Sequence, residues 1–390
     1  MAGPEALAAR ARPILDRLIA FDTTSHLSNL ALIDWTQGYL AARGVAARRI
    51  ASADGGKANL LATVGPMAEG GVVLSGHTDV VPVEGQAWSS DPFRVDERDG
   101  RLFGRGTCDM KGFLALTLAA VDDLIAAPLK RPAHLAFSYD EEIGCFGAPA
   151  MIEAIVRDLP RPALCIVGEP TSMEVVSAHK GIAVWRVTVT GQEAHSAQTH
   201  LGVSAVMEAA RLMAELVASA ERLERAADPA SPFQPRGATL TIGTVSGGTA
   251  GNILARQCRF LFDLRTLPGG DPKSELAGFF DLARRIDLSL KERTIDGGVE
   301  VEQLADVPPL ASSPDNPADA FARRLAGDNG PARAVSFASE AGQFQGAGIP
   351  TVICGPGSID QAHQADEYVD ISQMERGAAF MVRLAEALQE

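Results

Sequence analysis

Five short stretches of the chain end in side chains able to bind metal ions. They are Gly76-His77-Thr78-Asp79, the glycine-rich loop from Gly104 through Asp109 to Gly112, Asp140-Glu141-Glu142, Gly168-Glu169-Pro170, and the loop from Gly355 through Gly357 to His363. Imidazole with carboxylate oxygen is a donor set that zinc accepts, and one carboxylate can bridge two ions about 3.5–4 Å apart. Hydrolysis by one or two bound cations is therefore the chemistry to test. Each residue also has a plainer reading: Asp79 as a turn former, Asp109 as a helix N-cap, Glu141 or Glu142 as a surface acid, Glu169 as a turn acid, His363 as a solvated loop histidine. Taken jointly, those readings give the placement no common cause.

The common cause is the position of these stretches after strands. Apolar runs bounded by Gly or Pro predict strands at 59–64, 72–75, 134–138, 164–167 and 351–354, with helices at 31–43, closed by Gly44, and 112–127, stopped by Pro128. Alternation of this kind predicts an α/β fold with a mixed, largely parallel sheet and helices on both faces. In such a sheet the productive crevice lies outside the carboxyl ends of the strands, where four of the five stretches fall. Residues 180–298 read differently: 182–190, 239–245 and 258–264 alternate as half-buried antiparallel strands, and helices are predicted at 203–223 and 273–285. This predicts an inserted α+β domain over 180–298, within a domain made of 1–179 and 299–390.

Composition narrows the function classes. With 46% hydrophobic and 22% charged residues the chain is an ordinary globular protein, and its formal charge of −14 argues against a broad nucleic-acid surface. Residues 1–24 carry Leu7, Ile14, Leu15, Leu18 and Ile19 at helical spacing, an amphipathic helix instead of a signal core. No run reaches the roughly 18 apolar residues of a membrane span, so a cytoplasmic protein is expected. The five cysteines, an odd number with no CxxC pair, fit reduced thiols. Neither GxSxG nor HExxH occurs.

The motifs together resemble the di-zinc metallopeptidase family that contains acetylornithine deacetylase, aminoacylase and succinyl-diaminopimelate desuccinylase. The resemblance spans almost the whole chain and is carried by His77 to Pro82, Trp88 to Phe93, Gly104 to Gly112 and Asp140-Glu141-Glu142. Gly168 to Ser172, Ala178 to Gly181, Ser339-Glu340-Ala341 and Gly355 to Tyr368 are similar to the deacetylase branch in particular. It implies one zinc held by His77 and Glu169, another by Glu142 and His363, and Asp109 between them, with cobalt as a possible substitute. Asp79 would orient the His77 ring, and Glu141 would be the general base. His195, in the inserted domain, would stabilise the oxyanion across a homodimer interface; by itself it reads as a turn histidine, and His200 lacks the same motif support. Asn252 and Arg265 are similar to substrate-contacting positions, although a capped turn and a strand-end salt bridge account for them equally well. Gly355 and Gly357 would offer backbone donors to the substrate carboxylate, and Glu340 either recognises a side-chain amine or is a buried structural acid. The activity implied is hydrolysis of N2-acetylornithine to ornithine and acetate, a step of arginine biosynthesis. Desuccinylation, hydrolysis of another N-acyl amino acid, and dipeptidase or aminopeptidase action are the alternatives.

Overall fold

The computed structural model describes residues 3–390, which divide into two compact units. Of the described residues, the first comprises those up to 178, 310–333 and 339–390, and the second 179–309 with 334–338. Met1 and Ala2, the start of the predicted N-terminal helix, lie outside the described residues. From Pro4 to Ile19 that helix is present, and Leu7, Ile14, Leu15, Leu18 and Ile19 are its buried face.

The first unit is built on a mixed sheet whose strands run in the order Ala47–Ala51, Ala58–Val64, Ala133–Ser138, Val72–His77, Leu164–Pro170, Thr351–Gly355 and Val176–His179, the last ending at the unit's boundary. The middle four strands run parallel, and antiparallel neighbours flank them on both sides. Every residue of the parallel strands is buried, which explains why their sequences are mostly apolar without two-residue alternation. The flanking strand Ala47–Ala51 escapes the sequence pattern because it is short, half exposed and carries Arg48 and Arg49.

Two predicted strands are longer than their apolar cores. Val72–His77 runs on to His77, which pairs with Ser138, and Leu164–Pro170 includes Glu169. Parallel pairing therefore brings the carboxyl ends of four strands to one edge of the sheet.

Behind that edge lies the helix Lys111–Ala126, whose sequence is apolar on nearly every side. Such a helix is stable only when covered all round. It packs against the sheet and against the helices Pro4–Ile19 and Ile371–Ala387. Each fully buried Leu or Phe there contributes about 1.5–3 kcal/mol. The approach of this helix also dictates Gly168: a Cβ at that position would lie 2.1 Å from the Phe113 ring. Only glycine lets the strand pass the ring and deliver Glu169 to the sheet edge.

The second unit is a four-stranded antiparallel sheet in the order Thr239–Gly247, Gln257–Thr266, Gly181–Thr190 and Gly298–Val307. The alternation of Gly298–Val307 is interrupted by a register shift between Gln303 and Ala305, and the sequence pattern does not reveal it as a fourth strand. Helices Ala205–Arg225 and Ala277–Arg293 share a core with this sheet, where Trp185 stacks on Phe262 at 5.1 Å between ring centroids and Phe279 meets Phe262 edge-on. The strand Thr239–Gly247 forms an exposed edge, including Val245.

All five cysteines are free and buried. No helix among the described residues is long and apolar enough to cross a membrane.

Candidate metal centre

His77 is 1% exposed at the end of its strand. Its Nδ1 lies 2.9 Å from the main-chain carbonyl of Asp79, an acceptor only, so Nδ1 carries the proton of a neutral ring and Nε2 is left as the donor atom. The Asp79 carboxylate is farther from Nδ1, at 3.7 Å. It accepts instead from the main-chain amides of Glu141 and Glu142, at 3.2 and 3.3 Å, and from the Ser25 hydroxyl at 2.7 Å. Asp79 thus touches the ring through its backbone, and its side chain ties the Glu141-Glu142 loop to the His77 strand.

Asp109 faces two imidazoles. Its Oδ1 is 2.9 Å from His77 Nε2 and its Oδ2 is 3.3 Å from His363 Nε2. Glu169 Oε1 lies 3.7 Å from His77 Nε2, and Glu142 Oε2 lies 3.0 Å from His363 Nε2. Donor atoms of His77, Glu141 and Glu169 fall within 4.8 Å of one another, as do those of His77, Asp109 and Glu142. His363 reaches the cluster from a left-handed backbone conformation, with φ 63°, on the loop following the strand Thr351–Gly355.

Four carboxylates packed around two imidazoles leave an excess of buried negative charge. Burial, reinforced by neighbouring carboxylates, holds Glu141 and Glu169 well above the usual carboxylate range and lifts Glu142 to about 7. Burial would raise Asp109 too, but hydrogen bonds with His363 and His77 hold it below the usual range. His77, despite burial, is raised by Glu169 and Asp109, and hydrogen bonds to Asp109 and Glu142 push His363 up to about 10. Glu169 Oε1 is buried without a hydrogen-bond partner among the described residues. An orphaned acceptor amid uncompensated carboxylates is costly unless a cation completes it. The residues therefore fit one or two divalent ions, with oxygen and imidazole donors of the kind zinc takes.

The same charges set the pH dependence of binding. A metal ion needs neutral imidazoles and ionised carboxylates, whereas the side chains by themselves retain protons on Glu142 up to about pH 7 and on His363 up to about pH 10. Affinity should therefore rise with pH between 6 and 9, with more protons released per ion below 7. Calorimetric zinc titrations in buffers of differing ionisation enthalpy measure this; affinity independent of pH, without proton release, would contradict it.

The other candidate residues are placed as follows. His195, Asn252 and Arg265 belong to the second unit. His195 is exposed, and its Nδ1 accepts from the Ala197 amide at 3.1 Å, which leaves Nε2 as the protonated nitrogen of a neutral ring. Asn252 is exposed, and its carbonyl accepts from the Ser196 amide at 2.9 Å. Arg265 Nε is taken by Asp263 at 3.0 Å. In the first unit, both Glu340 oxygens are held by the Ser75 and Ser138 hydroxyls at 2.5 and 2.7 Å, in a fully buried setting. The Gly355 amide donates to Thr171 Oγ1 and the Gly357 amide to Gln373 Oε1. Gly357 has φ 85°, and a Cβ there would meet Cys108 Sγ at 2.5 Å.

Other contacts of the site have no local sequence signal. Cys145 Sγ lies 3.4 Å from Glu141 Oε1. Lys111, wholly buried and pushed down to about 7 by burial, donates to the carbonyls of Leu18 and Phe21. Arg105 and Glu367 look like ordinary loop charges until their burial is seen.

The chain is 37% identical over 386 residues to an acetylornithine deacetylase of Myxococcus xanthus, covering 95% of this chain and 96% of that protein. It is 35% identical over 370 residues to the acetylornithine deacetylase of Proteus mirabilis, covering 94% and 92%. In fold it is similar to the aminopeptidase PepT of Bacillus cereus, with a TM-score of 0.73 at 20% identity over 98% of this chain and 99% of that one. The model of peptidase family M20/M25/M40 matches residues 73–387, which takes in His77, Asp109, Glu142, Glu169 and His363. The chain belongs to this family of metal-dependent hydrolases.

Proposed function

We propose that the protein hydrolyses N2-acetyl-L-ornithine to L-ornithine and acetate with two divalent cations, zinc or in its place cobalt. The observation that carries the hydrolytic part is Asp109 set between His77 and His363, with Glu169 and Glu142 beside them. The substrate assignment is supported by the names of relatives 34–37% identical along most of the chain.

In this reading His77 and Glu169 hold one cation, Glu142 and His363 the other, and Asp109 both. Cations bound there would acidify a water molecule and polarise the acyl carbonyl. Glu141 is the general base, and burial, reinforced by neighbouring carboxylates, raises its proton affinity. It accepts a proton from the attacking water; as the C–N bond breaks, it passes that proton to the departing amine. The Nε2 of His195 is assigned to the oxyanion across the interface of a homodimer. Arg265 is assigned to the substrate carboxylate, and Asn252 to contact with the substrate. Glu340, Gly355 and Gly357 are less suited to direct contact, since their polar atoms already have partners.

A homodimer formed through the second unit is part of the proposal, supported by the exposed edge strand Thr239–Gly247. A single-chain mass in sedimentation equilibrium would reject it. Five buried free thiols suit a cytoplasmic setting.

The deciding experiment is a kinetic panel with metal-loaded protein: N2-acetylornithine, succinyl and formyl amino acids, and unblocked di- and tripeptides. N2-acetylornithine should give the highest kcat/KM. Faster release from unblocked peptides would make the protein a peptidase, and inertness toward the whole panel would sink the enzymatic reading.

A further inference from the structure

We infer that Arg105, Glu367 and Gln86 are positioning residues that hold Asp109 and His363 in register for the cations. Arg105 and Glu367 form an ion pair at 2.7 Å whose side chains are 1% and 0% exposed. A buried pair of this kind is weak grounds for expecting added stability, because desolvation offsets most of the attraction. What distinguishes this pair is where its remaining hydrogen bonds go.

Glu367 Oε1 accepts from the amides of Cys108 and Asp109 at 2.9 and 3.0 Å, and Oε2 accepts from the Gly106 amide at 3.0 Å. One carboxylate thus shapes the loop leading into Asp109, and the Asp109 amide itself is among its donors. On the other side, Arg105 donates to the Gln364 carbonyl at 3.3 Å and to the Gln86 side-chain oxygen. Gln86 Nε2 in turn donates to the His363 carbonyl at 2.9 Å. The Arg105 guanidinium also lies 5.0 Å from the centre of the Trp88 ring.

A continuous path therefore runs from the His363 carbonyl through Gln86, Arg105 and Glu367 to the Asp109 amide. Its two ends carry the side chains that meet at 3.3 Å in the cluster. His363 sits on a loop and is the most exposed side chain of the set, so helix or strand geometry does not fix it. The path supplies that constraint. Side chains that orient metal ligands in this way typically change metal affinity by roughly 10- to 100-fold when removed.

This inference rests on the metal-centre reading, and its test reads metal binding instead of turnover. Metal-stripped wild-type protein and Glu367→Gln would be titrated with Co²⁺, following visible absorption and calorimetric heat, with thermal unfolding of the metal-free proteins measured alongside. Glutamine keeps the size of the side chain but turns an amide nitrogen toward donors. At least one ion should bind about 10- to 100-fold more weakly, with altered cobalt absorption bands. A merely structural role would lower the unfolding midpoint while leaving the bands of the folded protein unchanged, and that result overturns the inference, as does wild-type affinity for both ions. If Glu367→Gln fails to fold, Gln86→Ala decides: Gln86 is only half-buried, and its loss should weaken one ion and spare the other. Unchanged binding of both ions in Gln86→Ala would refute the path. Wild-type protein that binds no cobalt would sink the metal centre itself.

Discussion

Glu141→Gln protein should retain both cations and lose roughly 10²- to 10⁴-fold in kcat on N2-acetylornithine, the range a positioned general base supplies. That loss corresponds to about 3–5 kcal/mol of transition-state stabilisation. Among the described residues Glu141 has no imidazole partner of the kind Asp109 and Glu142 have; its side chain accepts from the Cys145 thiol. Its main chain is fixed independently, because its amide donates to Asp79. Glutamine should therefore stand where glutamate stood, without the ability to take a proton. The measurement pairs metal content with steady-state rates. One outcome separates the roles cleanly: Glu141 also lies within 4.8 Å of His77 and Glu169 donor atoms, so loss of one cation in the variant would make it a ligand. Full activity with both ions bound would exclude it from proton transfer altogether.

Asp109→Ala should have the opposite signature, losing metal first and activity as a consequence. Asp109 is the one carboxylate that faces both imidazoles, so its removal affects both cation positions together. Removing residues that merely orient ligands costs roughly 10- to 100-fold in affinity, and loss of the shared ligand should exceed about 100-fold for at least one ion. Thermal unfolding gives a second reading. Metal at about 1,000 times its dissociation constant stabilises a protein by about 4 kcal/mol, so wild type should melt higher when zinc is added. Asp109→Ala should show little of that increment. Two tightly bound ions in this variant would remove Asp109 from the centre. The two substitutions thus separate ligand from base, since one should preserve metal without turnover and the other should lose both.

Much of the site is legible in the sequence because the strands that carry it are buried on both faces. Burial makes 72–75, 134–138 and 164–167 continuous apolar runs, and the polar residue that ends each run stands out. His77, Glu141, Glu142 and Glu169 are visible for that reason. Asp109 and His363 are visible through glycine-rich loops whose conformations few other residues adopt, with positive φ at Gly104, Gly106 and Gly357. The two-residue rhythm of 182–190 and 258–264 likewise reports a sheet with one covered face.

What the chain order alone leaves undetermined is which polar groups meet. The carboxylate of Asp79 is two residues from His77, yet tertiary packing points it at the Glu141-Glu142 amides and Ser25, leaving the ring to the Asp79 carbonyl. Glu340 is left in sequence with two readings, amine recognition or a buried structural acid; the fold places the Ser75 and Ser138 hydroxyls against it. Arg105 and Glu367 lie 262 residues apart, and only the fold buries them as a pair beneath two ligand loops. The reason is physical: backbone periodicity and apolar burial are local properties that residue type reveals, whereas hydrogen bonds between distant loops depend on orientations that only packing decides. Residue types and their local pattern specify the donors, the strands that end in them and the class of chemistry. Packing is what sets Asp109 between both imidazoles, and what holds it there.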